Sequence, residues 1–266
     1  MQARPHLSVV IPAYNEERRI GDSLVRLAAY LETLPETSEV IVVDDGSGDR
    51  TAATVEGLVP GAGSGGGRMA GGRTTLRLLR NGRNRGKGYS IKHGVLMAAG
   101  EFVLLSDADF STPIEELPRL MKEIAAGRTA MAIGSRGLAA SRIERRQPAW
   151  RQAMGRLFNR LVRGITGLEF RDTQCGFKAM RRDAVLPLFR AARVERFAYD
   201  VEILYLARKA GIGVAEVPVL WRDASGSRVR ALRDSFDMLK DVIRIVWRDR
   251  RGGYGSLGAA AAGSGP

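Results

Sequence analysis

The sequence predicts an α/β fold: a mostly parallel central sheet flanked by helices. Two observations predict it. Short apolar, β-branched runs alternate with amphipathic helical patterns through the first half of the chain, the pattern of strands joined by right-handed helical crossovers. Several of these runs also close on acidic or glycine-bearing turns, where such sheets hold ligands beyond the carboxyl ends of their strands. With 266 residues, 44% of them hydrophobic, the chain can bury the core of one such domain.

The elements follow in order. The run LSVVI at 7–11 is a buried strand ending at Pro12. Asn15 or Glu16 opens a helix with Ile20, Leu24, Leu27 and Leu31 on one face. Residues 39–43 form a second strand, closing on Asp44, Asp45, Gly46 and Ser47; Ser47 or Asp49 can cap the next helix. Residues 60–73 read as a glycine-rich surface loop. A strand at 75–79, a helix at 86–99, a strand at 101–105, a helix at 113–126 and a strand at 129–134 come next. Beyond Arg136 the pattern becomes more basic, with an amphipathic helix at 147–164. A strand at 177–180, a helix at 198–209, a strand at 213–219 and a final amphipathic helix at 232–247 complete the domain. Residues 251–266, rich in Gly, Ala and Ser, read as a disordered tail.

The formal net charge of +13 suits polyanionic partners: nucleic acid, anionic headgroups or phosphorylated substrates. The basic residues are densest at 136–163 and 228–251, and no nucleic-acid-binding module accompanies them, so no nucleic-acid partner is expected. One cysteine, Cys175, precludes an internal disulfide and fits a reducing cytoplasm. No run reaches the ~20 apolar residues of a membrane span, so membrane contact is expected to be peripheral, on the cytoplasmic face. In the last helix Leu232, Phe236, Leu239, Val242, Ile243 and Val246 form an apolar stripe flanked by Arg and Lys. Such a helix suits anionic headgroups, or equally a sheet-packed helix with a basic outer face.

The chemistry-bearing residues sit at the strand ends. Asp107 and Asp109 are separated by one residue just after a buried strand, so a turn there can aim both carboxylates into one pocket. Two hard oxygen ligands and a diphosphate suit Mg2+ or Mn2+. A solvated turn is the other reading of such a pair. Asp44 or Asp45 can accept from a ribose diol or a base N–H, or simply make a turn. Tyr14 can stack near a nucleobase and Glu16 can bond a ribose, unless the segment is only a strand-to-helix connection. Lys87 follows Gly86 at a helix N-terminus, a place that favours anions, and equally suits a solvated charge. Cys175 has no histidine near it in sequence and reads as a small packed residue. Neither histidine reads as catalytic: His6 precedes the first strand, and His93, within a helix, reads as structural.

Together these segments resemble a known family. PAYNEE at 12–17, VVDDGSGDRT at 42–51, NRGKG at 84–88 and SDADFSTP at 106–113 are similar to the family 2 glycosyltransferases of the GT-A fold. GSR at 134–136, DTQCGFK at 172–178 and ERFAYDVEILYLARKAG at 195–211 resemble the branch that glucosylates or mannosylates polyprenyl and dolichyl phosphates. The resemblance implies that Asp107 and Asp109 hold the metal, with Ser111 standing where some relatives place a further ligand. It implies that Pro12, Tyr14, Glu16, Asp44, Asp45, Lys87 and Gln174 line a nucleotide-sugar site. Ser135, Arg136 and Arg151 would hold an acceptor phosphate, and Asp109, Arg136 and Asp172 would carry the chemistry. One domain over 1–250 is then expected, with a nucleotide-sugar half at 1–136 and an acceptor half at 137–250. The expected reaction is inverting transfer of a hexose, glucose from UDP-glucose before mannose from GDP-mannose. A phosphate acceptor is already anionic and needs no strong base; a hydroxyl acceptor would need one, for which Asp172 or Asp200 could serve.

Overall fold

The computed structural model describes residues 4–59, 66–69, 71–144, 149–222 and 231–255. Its core is an eight-stranded sheet in the order β3-β4-β2-β1-β5-β8-β6-β9. The strands are β1 (Leu7–Ala13), β2 (Ser38–Asp44), β3 (Gly67–Arg68), β4 (Thr74–Arg80), β5 (Phe102–Leu105), β6 (Met131–Ser135), β8 (Lys178–Arg181) and β9 (Val214–Pro218). A separate parallel pair joins β7 (Arg142–Ile143) to β10 (Leu220–Trp221). The helices are α1 (Ile20–Glu32), α2 (Thr51–Gly57), α3 (Lys87–Met97), α4 (Leu117–Ala125), α5 (Ala149–Thr166), α6 (Arg182–Ala191), α7 (Tyr199–Lys209) and α8 (Ala231–Arg250).

Strands β4, β2, β1 and β5 run parallel, as do β6 and β9. Their central residues are fully buried on both faces, which is why they read as continuous apolar runs. Apolar side chains fill two layers. One holds Val10, Ile41, Ile91, Leu105 and Ile133 under α3, α6 and α7. The other holds Val9, Ile11, Leu24, Leu27, Leu104 and Leu120 under α1 and α4.

The departures from expectation are local. Helix α1 begins at Ile20, because Asn15 adopts φ 55° and the turn 15–19 is spent on contacts to the loop after β2. Arg50 stands at the N-cap of α2 without a side-chain capping bond; Asp49, one residue before it, accepts from Thr51 N at 2.9 Å, and Ser47 Oγ accepts from Asn15 N. The loop at 60–73 contains β3, and Met69 is buried in the core; residues 60–65 and Ala70 lie outside the described residues. Helix α6 was not among the expected elements; Pro187 interrupts its pattern. Strand β8 runs antiparallel to both neighbours. The expected tail is shorter than 251–266 at its start: residues 251–255 form a turn, and Tyr254 is buried with its hydroxyl bonded to Glu202 and Arg248. Residues 256–266 lie outside the described residues.

Candidate active site

The order of strands reverses direction about β1, since β2 lies on one side and β5 on the other. The crevice beyond their carboxyl ends is where such sheets hold ligands. Pro12 and Tyr14 at the end of β1, Asp44 and Asp45 at the end of β2, Asp107 and Asp109 just after β5, and Ser135 and Arg136 at the end of β6 all come to that edge. The reversed strand supplies the rest. Lys178, first in β8, pairs with Leu105 and Ile133 near the ends of β5 and β6, so the segment leading into β8 is delivered to the same edge.

Lys87, at the start of α3, places its ammonium 2.6 Å from Asp107 Oδ1. On the other side Gly176 lies so close that any Cβ there would collide with the Asp107 carboxylate. Burial works to raise the Asp107 pKa; the charge and hydrogen bond of Lys87, with Lys178 and Arg136 beyond, outweigh it and hold the carboxyl below its usual range. Asp109 is pushed the other way, by burial first and then by the neighbouring Asp107 charge. Its Oδ1 accepts from Ser111 N at 3.0 Å and Ser111 Oγ at 2.9 Å. Arg19 Nη1 stands 3.8 Å from Asp109 Oδ2, and its guanidinium is fixed by two hydrogen bonds to Glu16.

A metal finds two carboxylates here. Among the described residues no cluster of three His, Cys, Asp or Glu side chains is arranged to hold an ion. The donor set therefore fits a hard divalent cation only if substrate oxygens complete its shell, as a diphosphate does. The upward shift of Asp109 fits as well, because two neighbouring carboxylates repel each other until a cation is placed between them. Ser111 orients Asp109 through its own N–H and hydroxyl.

Asp45 is a tether. Its carboxylate accepts from Asn81 Nδ2 (2.7 Å), Arg85 N (3.0 Å) and Gly86 N (2.8 Å). Gly86, at φ 107°, turns the chain into α3 against Glu195 O, where a Cβ would sit 2.5 Å away. The tether thus sets the position of Lys87. Asn81 also meets His93 Nδ1 at 2.9 Å, and burial lowers the His93 pKa, so this histidine is structural. Asp44 Oδ1 accepts from Ser47 N at 3.2 Å and shapes the turn. Tyr14 is 41% exposed, an aromatic ring open to the crevice edge.

Arg136 and Asp172 form a bidentate pair, Nε–Oδ2 2.6 Å and Nη2–Oδ1 2.9 Å, with Arg136 N donating to Oδ2 as well. Burial would raise the Asp172 pKa; the Arg136 guanidinium overrides it and holds the carboxyl down at about 2. Glu216 on β9 fixes the segment from behind, accepting from Arg171 N and Asp172 N. Gln174 donates Nε2 to the Met238 sulfur at 3.6 Å, which links this segment to α8. Ser135 is fully buried and its hydroxyl accepts from Gly137 N, so it holds the turn after β6. Arg151 lies in the first turn of α5, and its side chain falls outside the described residues.

One residue, Lys178, gains a place that its spacing did not reveal. Lys178, 1% exposed, forms a buried ion pair with Asp200 and donates to the Cys175 carbonyl. That bond secures the Cys175–Gly176 peptide against Asp107. A lysine in an apolar strand is the signal that could have found it, since an ammonium is buried only when paired. Cys175 itself is buried, and burial raises its thiol pKa, so it is packed and inert.

Comparisons with known proteins show the family and the fold. The sequence model described as Glycosyl transferase family 2 matches residues 8–189. Curated relatives include the dolichyl-phosphate beta-glucosyltransferase of Dictyostelium discoideum, 34% identical over 252 residues spanning 91% of this chain and 74% of that one. The enzyme of the same name from Homo sapiens is 34% identical over 262 residues, 93% of this chain and 77% of that one. Among solved structures, glucosyl-3-phosphoglycerate synthase from Mycobacterium tuberculosis in complex with Mn2+, UDP-glucose and glycerol 3-phosphate superposes with a TM-score of 0.63. It is 20% identical, over 93% of this chain and 80% of that one. This likeness identifies the fold as GT-A.

Proposed function

The chain belongs to glycosyl transferase family 2, and from that premise we propose that it moves glucose from UDP-glucose onto a polyprenyl or dolichyl phosphate with inversion at the anomeric carbon. The observation that carries the acceptor class is the state of the two acids that could act as a base. Asp172 is locked to Arg136 with its pKa near 2, so it takes up no proton at neutral pH. Asp200 is 4% exposed and its Oδ1 is engaged by the buried Lys178 ammonium. A hydroxyl acceptor would need one of them free; a phosphate arrives as its own anionic nucleophile.

The remaining roles follow from placement. Asp107 and Asp109 would hold Mg2+ or Mn2+, which supplies charge stabilisation to the departing diphosphate. Pro12, Tyr14 and Glu16 frame the nucleotide from the β1 end, and Asp45 fixes the loop that carries Lys87. Gln174 and Asp172 stand beside the reacting sugar. Arg136, oriented by Asp172, presents a guanidinium toward the acceptor phosphate, with Arg151 as a second arm. In-line displacement then needs only orientation and exclusion of water, which the buried 172–178 segment provides.

A lipid-borne acceptor requires the protein to reach a membrane. No helix among the described residues is long and apolar enough to cross one. Helices α5 and α8 pack together and leave Leu157, Leu161, Phe236, Ile243 and Trp247 exposed. Lys240 lies 4.4 Å from the Phe236 ring centroid and Arg251 lies 3.9 Å from that of Trp247, cations placed beside apolar anchors as at an anionic headgroup layer. This supports peripheral docking on the cytoplasmic leaflet.

The test is direct. Labelled UDP-glucose, Mn2+ and polyprenyl phosphate are incubated with the protein and extracted into organic solvent, with labelled GDP-mannose in parallel. Glucose label in the organic phase is expected. Label that stays in water with both donors overturns the lipid acceptor, and transfer from GDP-mannose alone overturns the donor.

A further inference from the structure

Each of the two acids at the end of β5 has a cation beside it, and the two cations are held differently. Arg19, near Asp109, is anchored by two hydrogen bonds to Glu16. Lys87, on Asp107, is tied at its backbone by the loop that Asp45 grips, while its side chain makes its one hydrogen bond among the described residues to Asp107 Oδ1. The whole Asp107 carboxylate lies against Gly176, where an added Cβ would come within 2.7 Å of both oxygens. A metal shared by Asp107 and Asp109 therefore binds the carboxylate on which the Lys87 ammonium already sits, 2.6 Å from Oδ1.

We propose that Lys87 is an exchangeable counter-ion. In the nucleotide-free protein it neutralises Asp107; when metal and diphosphate arrive together it gives up Asp107 and pairs with the diphosphate. The inference rests on the reading of Asp107 and Asp109 as the metal ligands. Electrostatics favours the exchange. Two cations on one carboxylate repel each other, and the incoming diphosphate offers the displaced ammonium a new anionic partner within the sweep of a four-carbon side chain. The aromatic face of Tyr199, 5.9 Å from Lys87 Nζ, gives the ammonium a second surface to rest on as it moves.

The consequence is thermodynamic coupling. Metal alone must displace Lys87 with nothing in return and binds weakly; metal with diphosphate binds well, and each tightens the other by the same factor. A protein built this way does not hold a metal where no donor is present.

The experiment measures Mn2+ binding by calorimetry for the wild type, Lys87→Met and Lys87→Arg, without nucleotide and with uridine diphosphate, and uridine diphosphate binding in chelator. Lys87→Met is expected to bind Mn2+ alone about tenfold more tightly, to bind uridine diphosphate in chelator about tenfold more weakly, and to lose most of the coupling. Lys87→Arg keeps the charge and is expected to follow the wild type. Mn2+ affinity in Lys87→Met that is equal to or weaker than wild type overturns the exchange. Asp107→Asn tells the two readings apart. If it abolishes Mn2+ binding while Lys87→Met changes nothing, only the exchange fails; if Mn2+ binding survives Asp107→Asn, the metal assignment fails with it.

Discussion

An added Cβ at Gly176 would meet the Asp107 carboxylate, whose Oδ1 is held by Lys87. Gly176→Ala should therefore push Asp107 out of place and lower Mn2+ affinity in the presence of uridine diphosphate by about tenfold, a loss on the scale of one hydrogen-bonded contact. Unchanged affinity would show that Asp107 has room to move. The Arg136–Asp172 pair makes a pH prediction. Asp172 is depressed from 3.8 to about 2, so its folded value lies below its unfolded one. The pair then contributes fully above about pH 4 and loses its contribution as the pH falls toward about 2, roughly 2 kcal/mol in all. Urea titrations of wild type and Asp172→Asn across that range should show the difference between them shrink on acidification; a constant difference counts against the pair. The acids Asp107, Asp109 and Asp172 were legible in the sequence as motif positions. What they touch was not, because Lys87, Gly176 and Arg136 lie between 20 and 69 residues away in the chain.

At the scale of elements, α3 is positioned by the loop before it rather than by a helix cap. Its N-cap residue, Gly86, makes no side-chain capping bond, and Asp45 instead accepts from Gly86 N and Arg85 N. Asp45→Ala would leave the Arg85 and Gly86 N–H groups without their acceptor and remove one of the bonds of Asn81, and should cost about 2–3 kcal/mol in denaturant unfolding. It should also weaken nucleotide binding, because Lys87 starts that helix. Stability within error of the wild type would remove the tether role. The strands and most helices were readable because their periodicities are local. Helix α6 was missed because Pro187 breaks its pattern, and the reversal of β8 was invisible because strand direction is set by which edge the chain returns to, not by composition.

Across the whole molecule, the +13 charge and the exposed α5 and α8 side chains make a prediction about membranes. Vesicles containing anionic lipid should bind the protein, and neutral vesicles should bind it much less. Replacing Phe236, Ile243 and Trp247 by Ser should cut vesicle binding about tenfold or more while leaving the fold intact, since all three are more than half exposed. Sedimentation with vesicles at low and high salt checks both parts, and binding that survives the triple variant would place the contact elsewhere.

The sequence by itself determined the α/β class, the order of the early strands and the acids at their carboxyl ends, because hydrophobic period and turn chemistry are written in neighbouring residues. Only the tertiary structure decided which cation each acid keeps. It showed Lys87 on Asp107, Arg136 on Asp172, Lys178 on Asp200, and Ser135 withdrawn into the core. The reason is physical: a charge in a buried crevice is settled by the nearest opposite charge in space, and the antiparallel β8 brings residues 172–178 to that crevice from the far half of the chain.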